Sequence, residues 1–135
     1  MDTATRRAYI QARLAKAKDD LATARDDLAY GHRRGAINRA YYTIFHTASA
    51  ALLWHDIERA RHSGIQSSFG EFLVKPGHIE TEYGRIYSRA RKMREKQDYD
   101  LDAAWPSTEE AEQIVNDAER FVARVERYLR DVGAT

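Results

Sequence analysis

The chain predicts an all-α protein, an antiparallel bundle of four long helices with one short helix lying across it. Three observations carry this. Apolar residues recur at spacings of three and four along most of the 135 residues, and no stretch alternates with the two-residue period of a strand. Only two prolines and seven glycines are present to interrupt long helices. A chain of 135 residues suits one hydrophobic core, so residues 1–135 read as a single helical domain.

Ile10, Leu14, Ala17, Leu21, Ala24 and Leu28 place the first helix from about Arg6 to Tyr30. Gly31 and Gly35 bracket His32-Arg33-Arg34, a turn that sends the chain back antiparallel. Helix two carries Ile37, Tyr41, Ile44, Ala48 and Ala51 on one stripe, widened by Phe45, Leu52 and Leu53, and ends near Trp54-His55-Asp56. A charged connection, Ile57 to Arg61, leads to a short third helix with Ile65, Phe69, Phe72 and Leu73 inward, stopped by Lys75-Pro76-Gly77. Helix four runs from about Ile79 to Lys96, with Ile79, Tyr83, Ile86, Ala90 and Met93 inward. The loop DYDLDAAWP crosses to helix five, which opens on a capping box of Ser107 and Glu110. Ile114, Ala118, Phe121, Val125 and Leu129 continue the core to its end.

Composition narrows the function classes. With no cysteine, disulfides, thiolate nucleophiles and cysteine zinc sites are excluded. The N-terminal MDTATRRAYIQ lacks the apolar core of a secretory signal, and a cytoplasmic location is the expectation. Net charge is +1, yet residues 85–96 hold six basic residues and one acid, whereas 97–119 hold eight acids and no base. Two readings fit: two solvated helix ends matched to their dipoles, or a basic strip that touches phosphates.

The most informative segment is 36–54, AINRAYYTIFHTASAALLW, a run of 19 residues whose one formal charge is Arg39 and whose one histidine is His46. Asn38, Arg39 and His46 break its apolarity, so it reads as a buried helix and not a membrane span. Seven residues are close to two helical turns, which puts Arg39 and His46 on one flank about 10 Å apart along the axis. A carboxylate-bridged metal site would need Glu-x-x-His pairs; the chain has none, and neither a metal nor a cofactor is expected. Ser49, Ser63, Ser67 and Ser68 lack the strained turn that activates a serine nucleophile.

Arg39 with His46 remains. A neutral imidazole can take the proton of a ribose 2′-hydroxyl while a guanidinium stabilises a phosphorane, a pairing that cleaves RNA without metal. The plain alternative is a core histidine satisfied by a carbonyl or a tyrosine hydroxyl, with Arg39 reaching solvent. Arg39, Tyr42, His46, Ser49 and Leu53 lie on a flank turned away from the main stripe. Its mixture of tyrosine, leucine and polar groups suits an interface or a ligand cleft, and a homodimer burying part of it is expected.

The blocks NRAYYTIFHTASAALL (38–53), HSGIQSSFGEFLVKPG (62–77) and YGRIYSRARKMREKQDYD (83–100) resemble, in order and spacing, the branch of the HEPN superfamily that carries a YYxxFH helix. The resemblance covers roughly residues 20 to 130. It implies a HEPN-like helical bundle that dimerises. Many members are ribonucleases whose motif is Arg, four to six residues, then His, completed across the dimer, and several are toxins paired with a nucleotidyltransferase antitoxin. Arg39 and His46, with six residues between them, match that motif. Ala40 stands where such toxins often carry a polar residue, and Ala48 where a tyrosine can be nucleotidylated.

The functional expectation is therefore an RNA-binding HEPN protein acting as a homodimeric, metal-independent endoribonuclease toxin, with Arg39 and His46 catalytic. Asn38, Tyr42, His62, Lys75, Arg91 and Arg94 are the candidate RNA- or nucleotide-binding residues. Tyr42 could stack on a base, and Lys75, Arg91 and Arg94 could hold phosphates. Each has an ordinary structural role beside it: interface packing for Tyr42, capping or packing of helix three for His62, a solvated turn for Lys75, ion pairs with Asp98 and Asp100 for the arginines. The open alternative is a non-catalytic module that binds a nucleotide or works with a nucleotidyltransferase.

Overall fold

The computed structural model describes residues 1–100, 102 and 104–135. Among them are five α-helices and no strand: α1 (Thr3–Ala29), α2 (Arg33–Trp54), α3 (His62–Phe69), α4 (Thr81–Tyr99) and α5 (Thr108–Asp131). The all-α expectation holds, with long helices one to three residues out of place at their ends. Leu101 and Ala103 of the expected crossing loop lie outside the described residues.

Side-chain pairs fix the helix directions. Arg39 meets Asp20 and Ser49 meets Arg13, so α1 and α2 run antiparallel. Lys18 with Glu126 and Arg25 with Glu119 set α5 antiparallel to α1, and Glu82–Arg120 with Arg89–Asp117 set it antiparallel to α4. The result is an up-down-up-down bundle in which α3 lies in the connection between α2 and α4. At its centre is α2, which packs against the other four helices. Ala36, Ala40, Ala48, Ala50 and Ala51 are fully buried along it, and such small side chains let neighbouring helices approach closely.

Three helices end in a Schellman motif, where a residue in the left-handed region lets two amides return to the last carbonyls. Gly31 (φ 79°) ends α1, with its own N–H donating to Leu28 O and that of His32 donating to Asp27 O. The turn is shorter than the glycine pair suggests, because Gly35 lies inside α2. There a Cβ would sit 2.8 Å from Asp27 Oδ2, so a larger residue would make that carboxylate swing aside. At the end of α2 the left-handed residue is Asp56 (φ 59°), and Ile57 folds back onto the core. Gly133 (φ 80°) repeats the motif after α5.

The third helix differs from expectation in form. After Phe69 the backbone widens into one π-helical turn, Gly70–Val74, closed by Lys75 N donating to Gly70 O at 2.8 Å. That extra residue keeps Leu73 in the core and leaves Phe72, expected inward, 36% exposed. The stripe expected for the first helix faces the core, Leu21 and Leu28 being partly buried, and Asp20 is buried beside it between Ala17 and Ala24, at steps of three and four. Helix five forms as read, with the Ser107–Glu110 capping box complete in both directions.

Two substitutions test these ends. Ser107→Ala is expected to lower unfolding stability by about 1 kcal/mol in urea titration, because the Glu110 amide loses its acceptor. Asp56→Gly is expected to raise it by up to about 1 kcal/mol, since glycine adopts the left-handed backbone without the Cβ cost.

Candidate active site

The expected pair is present, and a third residue joins it. Asp20, projecting from α1 with its side chain 11% exposed, places Oδ1 3.1 Å from Arg39 Nη1 and Oδ2 3.5 Å from His46 Nε2. Two α2 residues nearly two turns apart are thus drawn to one carboxylate. Asn38 fixes the guanidinium from its other side, its Oδ1 accepting from Nη2 at 2.8 Å and from Nε at 3.2 Å. The Arg39 plane lies over Tyr42, 4.9 Å from the ring centroid. Arg39 remains 37% exposed, so solvent screens its ion pair toward the roughly 0–1 kcal/mol of a surface bridge.

Burial is the main reason that His46 titrates below the ordinary imidazole value. Lys16, Arg39 and His62 push in the same direction, and Asp20 opposes them. His46 is therefore neutral at physiological pH. The carboxylate facing Nε2 favours the tautomer with its proton there and leaves the lone pair on Nδ1. Asp20 Oδ2 is buried without a hydrogen-bond partner, so it is poised to take a stronger bond when the ring becomes charged. At 3.5 Å the carboxylate acts on the ring through its charge and not through a formed hydrogen bond.

Tyr42 is the hub that gathers the other candidates. His46 from the next turn and His62 from α3 sit 6.1 Å and 5.7 Å from its centroid, and the Arg94 guanidinium of α4 lies 5.7 Å away. His62 caps no helix: Arg61 holds the N-cap position, and the His62 ring packs on Phe45 at 4.2 Å. Arg94 lies over Tyr41 at 4.6 Å and pairs with Asp98 at 3.4 Å, while Arg91 pairs with Glu95 and not with Asp98 or Asp100. His62, Arg91 and Arg94 line an open cleft of about 630 Å³ between α3 and α4. Lys75 stands apart, exposed in the turn beyond the π-helical segment and outside that cleft.

The expected free flank of α2 is narrower than its residue list. Leu53 is 1% exposed in the core, and Ser49 is held by Arg13, whose Nη1 donates to both its hydroxyl and its carbonyl. The reason is that α1 packs along this side. What stays half-buried is the patch of Asn38, Arg39, Tyr42, Phe45 and His46. Asp20 escaped sequence reading because the neighbouring Leu21 filled the apolar stripe, although the 17–20–24 spacing marks an acid at a core position. Among the described residues, no group of three His, Cys, Asp or Glu side chains is placed to hold a metal, and no helix is long and apolar enough to cross a membrane.

The fold is an all-α bundle in which Asp20 of α1 meets Arg39 and His46 of the central helix α2. The model of the HEPN domain matches residues 10–128, and the chain belongs to that family. It is similar to a Methanocaldococcus jannaschii protein named "Putative toxin MJ0605", at 39% identity over 126 residues, 93% of this chain and 92% of that protein. A Thermotoga maritima protein named as a UPF0332 protein is 29% identical over 117 residues, covering 87% of this chain and 88% of its own.

The site predicts a pH response with a definite sign. With the folded-state value of His46 below the unfolded one, the unfolded chain binds the proton first, so stability is full above about pH 6.5 and falls as pH drops below it. Proton NMR should show His46 titrating below the ordinary value. Asp20→Asn should move it lower still, because it removes the charge that raises it. A His46 value unchanged in Asp20→Asn would separate the two groups.

Proposed function

We propose that the chain is a HEPN-type, metal-independent endoribonuclease with a toxin-like role, acting as a homodimer. The observation that carries this is the neutral, half-buried His46 held beside Arg39 through one carboxylate. His46 removes the proton of a ribose 2′-hydroxyl, and the 2′-oxygen attacks the adjacent phosphorus. Arg39 stabilises the extra charge on the phosphorane. The imidazolium, or its counterpart in the second subunit, returns a proton to the departing 5′-oxygen, leaving a 2′,3′-cyclic phosphate and a 5′-hydroxyl. Asp20 holds the imidazole in register, Asn38 holds the guanidinium, and Tyr42 with His62 offers faces for a base. The half-buried patch around Tyr42 and Phe45 supports a twofold contact that brings two such clusters together. A nucleotidyltransferase antitoxin is the proposed partner, and the cytoplasm the proposed place of action.

A second reading draws support from the same geometry. Arg39 is already engaged by Asp20, Asn38 and Tyr42, as suits a residue that orders a binding surface in a non-catalytic nucleotide- or partner-binding module. The two readings separate on His46.

For the nuclease, His46→Ala should reduce RNA cleavage in chelator-treated buffer by about 10²–10⁴-fold, and Arg39→Lys should reduce it strongly because a point charge replaces the fork. Cleavage by His46→Ala at the parent rate would end the catalytic assignment. A parent that binds RNA without cutting it, with binding kept in His46→Gln, would select the second reading. Sedimentation at micromolar concentration should show a dimer; a monomer alone would remove the shared site.

A further inference from the structure

The cleft between α3 and α4 is chemically distinct from the Arg39–His46 cluster but shares a wall with it. Its wall includes Tyr41, which abuts Tyr42 edge-on at 5.2 Å. Arg39 lies 4.9 Å from the Tyr42 centroid on one side and Arg94 lies 5.7 Å from it, so the two guanidinium carbons are no more than about 11 Å apart. We infer that this cleft seats a second phosphate of single-stranded RNA, adjacent to the one held by Arg39, with the Tyr42 face between them for a nucleoside. The inference rests on the RNA reading of the site and specifies its substrate as a strand of at least two phosphates.

Four features of the cleft support this. Arg91 and Arg94 supply two cations, and their pairings to Glu95 and Asp98, at 3.3 and 3.4 Å, are long enough to be exchanged for a phosphate. The Arg94 guanidinium is held 4.6 Å over the Tyr41 ring with its side chain 12% exposed, a cation fixed in place at the cleft wall. Ser63 and Ser67, one helical turn apart on α3, add hydroxyl donors at the rim. Finally, Gly70 has ordinary helical angles (φ −61°, ψ −47°), and a Cβ there would meet nothing within 4 Å. The space where a Cβ would stand is open, so a ligand in the cleft can approach the backbone at Gly70. Glu71, also on the rim, is exposed and can swing to solvent.

Binding of 2′-O-methyl dinucleotides, whose capped 2′-oxygen prevents cleavage, tests the inference by calorimetry. A 5′- or 3′-terminal phosphate added to the dinucleotide supplies the second anion without a second stacking base. In the parent protein, one of the two ends should gain about tenfold in affinity. Arg94→Ala should abolish the gain. Because Arg94 packs on Tyr41, Ser63→Asp provides the second variant: an acid in the first turn of α3 suits the helix end, yet repels a phosphate in the cleft. Its gain should fall below about threefold with the thermal midpoint kept. His46→Ala should keep the full gain. No gain in the parent at either end, or an undiminished gain in Ser63→Asp, would overturn the second seat even if RNA is cleaved. A gain that depends on Arg94 and Ser63 in a protein that cuts no RNA would uphold the seat and reject the nuclease.

Discussion

The Asp20 carboxylate carries most of the organisation of the polar patch on α2. It is the point at which α1 reaches across to α2, and it receives a guanidinium on one oxygen and an imidazole on the other. Without that acid, a half-buried cation and a titratable ring on an otherwise apolar helix would lose the one negative charge that faces both among the described residues. The chemistry of α2 is therefore a property of the α1–α2 hairpin and not of a single segment.

Around this hairpin α3 and α4 deliver one group each. Helix α3 brings His62 onto Phe45, and α4 brings Arg94 over the two tyrosines. The aromatic rings give these polar side chains a surface to lie on without burying them outright, which keeps cations near neutral faces and open to an incoming anion. Two guanidinium groups thus lie about one ring, with the His46 imidazole beside them.

Much of this was legible in the amino-acid order, and the parts that were not have physical reasons. A helix apolar on nearly every side, as in 36–54, has to be central, and it is; the Ser107–Glu110 spacing has one local meaning, and the cap forms. Asn38, Arg39, Tyr42 and His46 share a helix, so their proximity follows from its pitch. His62 and Arg94 converge on Tyr42 only through tertiary packing, which no local period encodes. Asp20 was hidden by an adjacent leucine that made an equally good stripe. The left-handed Asp56 was invisible because aspartate is only weakly biased toward that region, unlike the glycines that end α1 and α5.

The wide turn at Gly70–Val74 has a geometric corollary. One residue advances an α-helix by about 100°, so a segment that accommodates one surplus residue acts as a rotary offset between the turns on either side of it. Deleting a single residue there would let the strain-free pitch resume and would spin the start of the short helix by more than a quarter revolution. His62 would then leave Phe45 while Leu73 stayed seated. The widened coil is thus an indexing element, and chain length at this one spot governs whether the third helix addresses the polar patch at all.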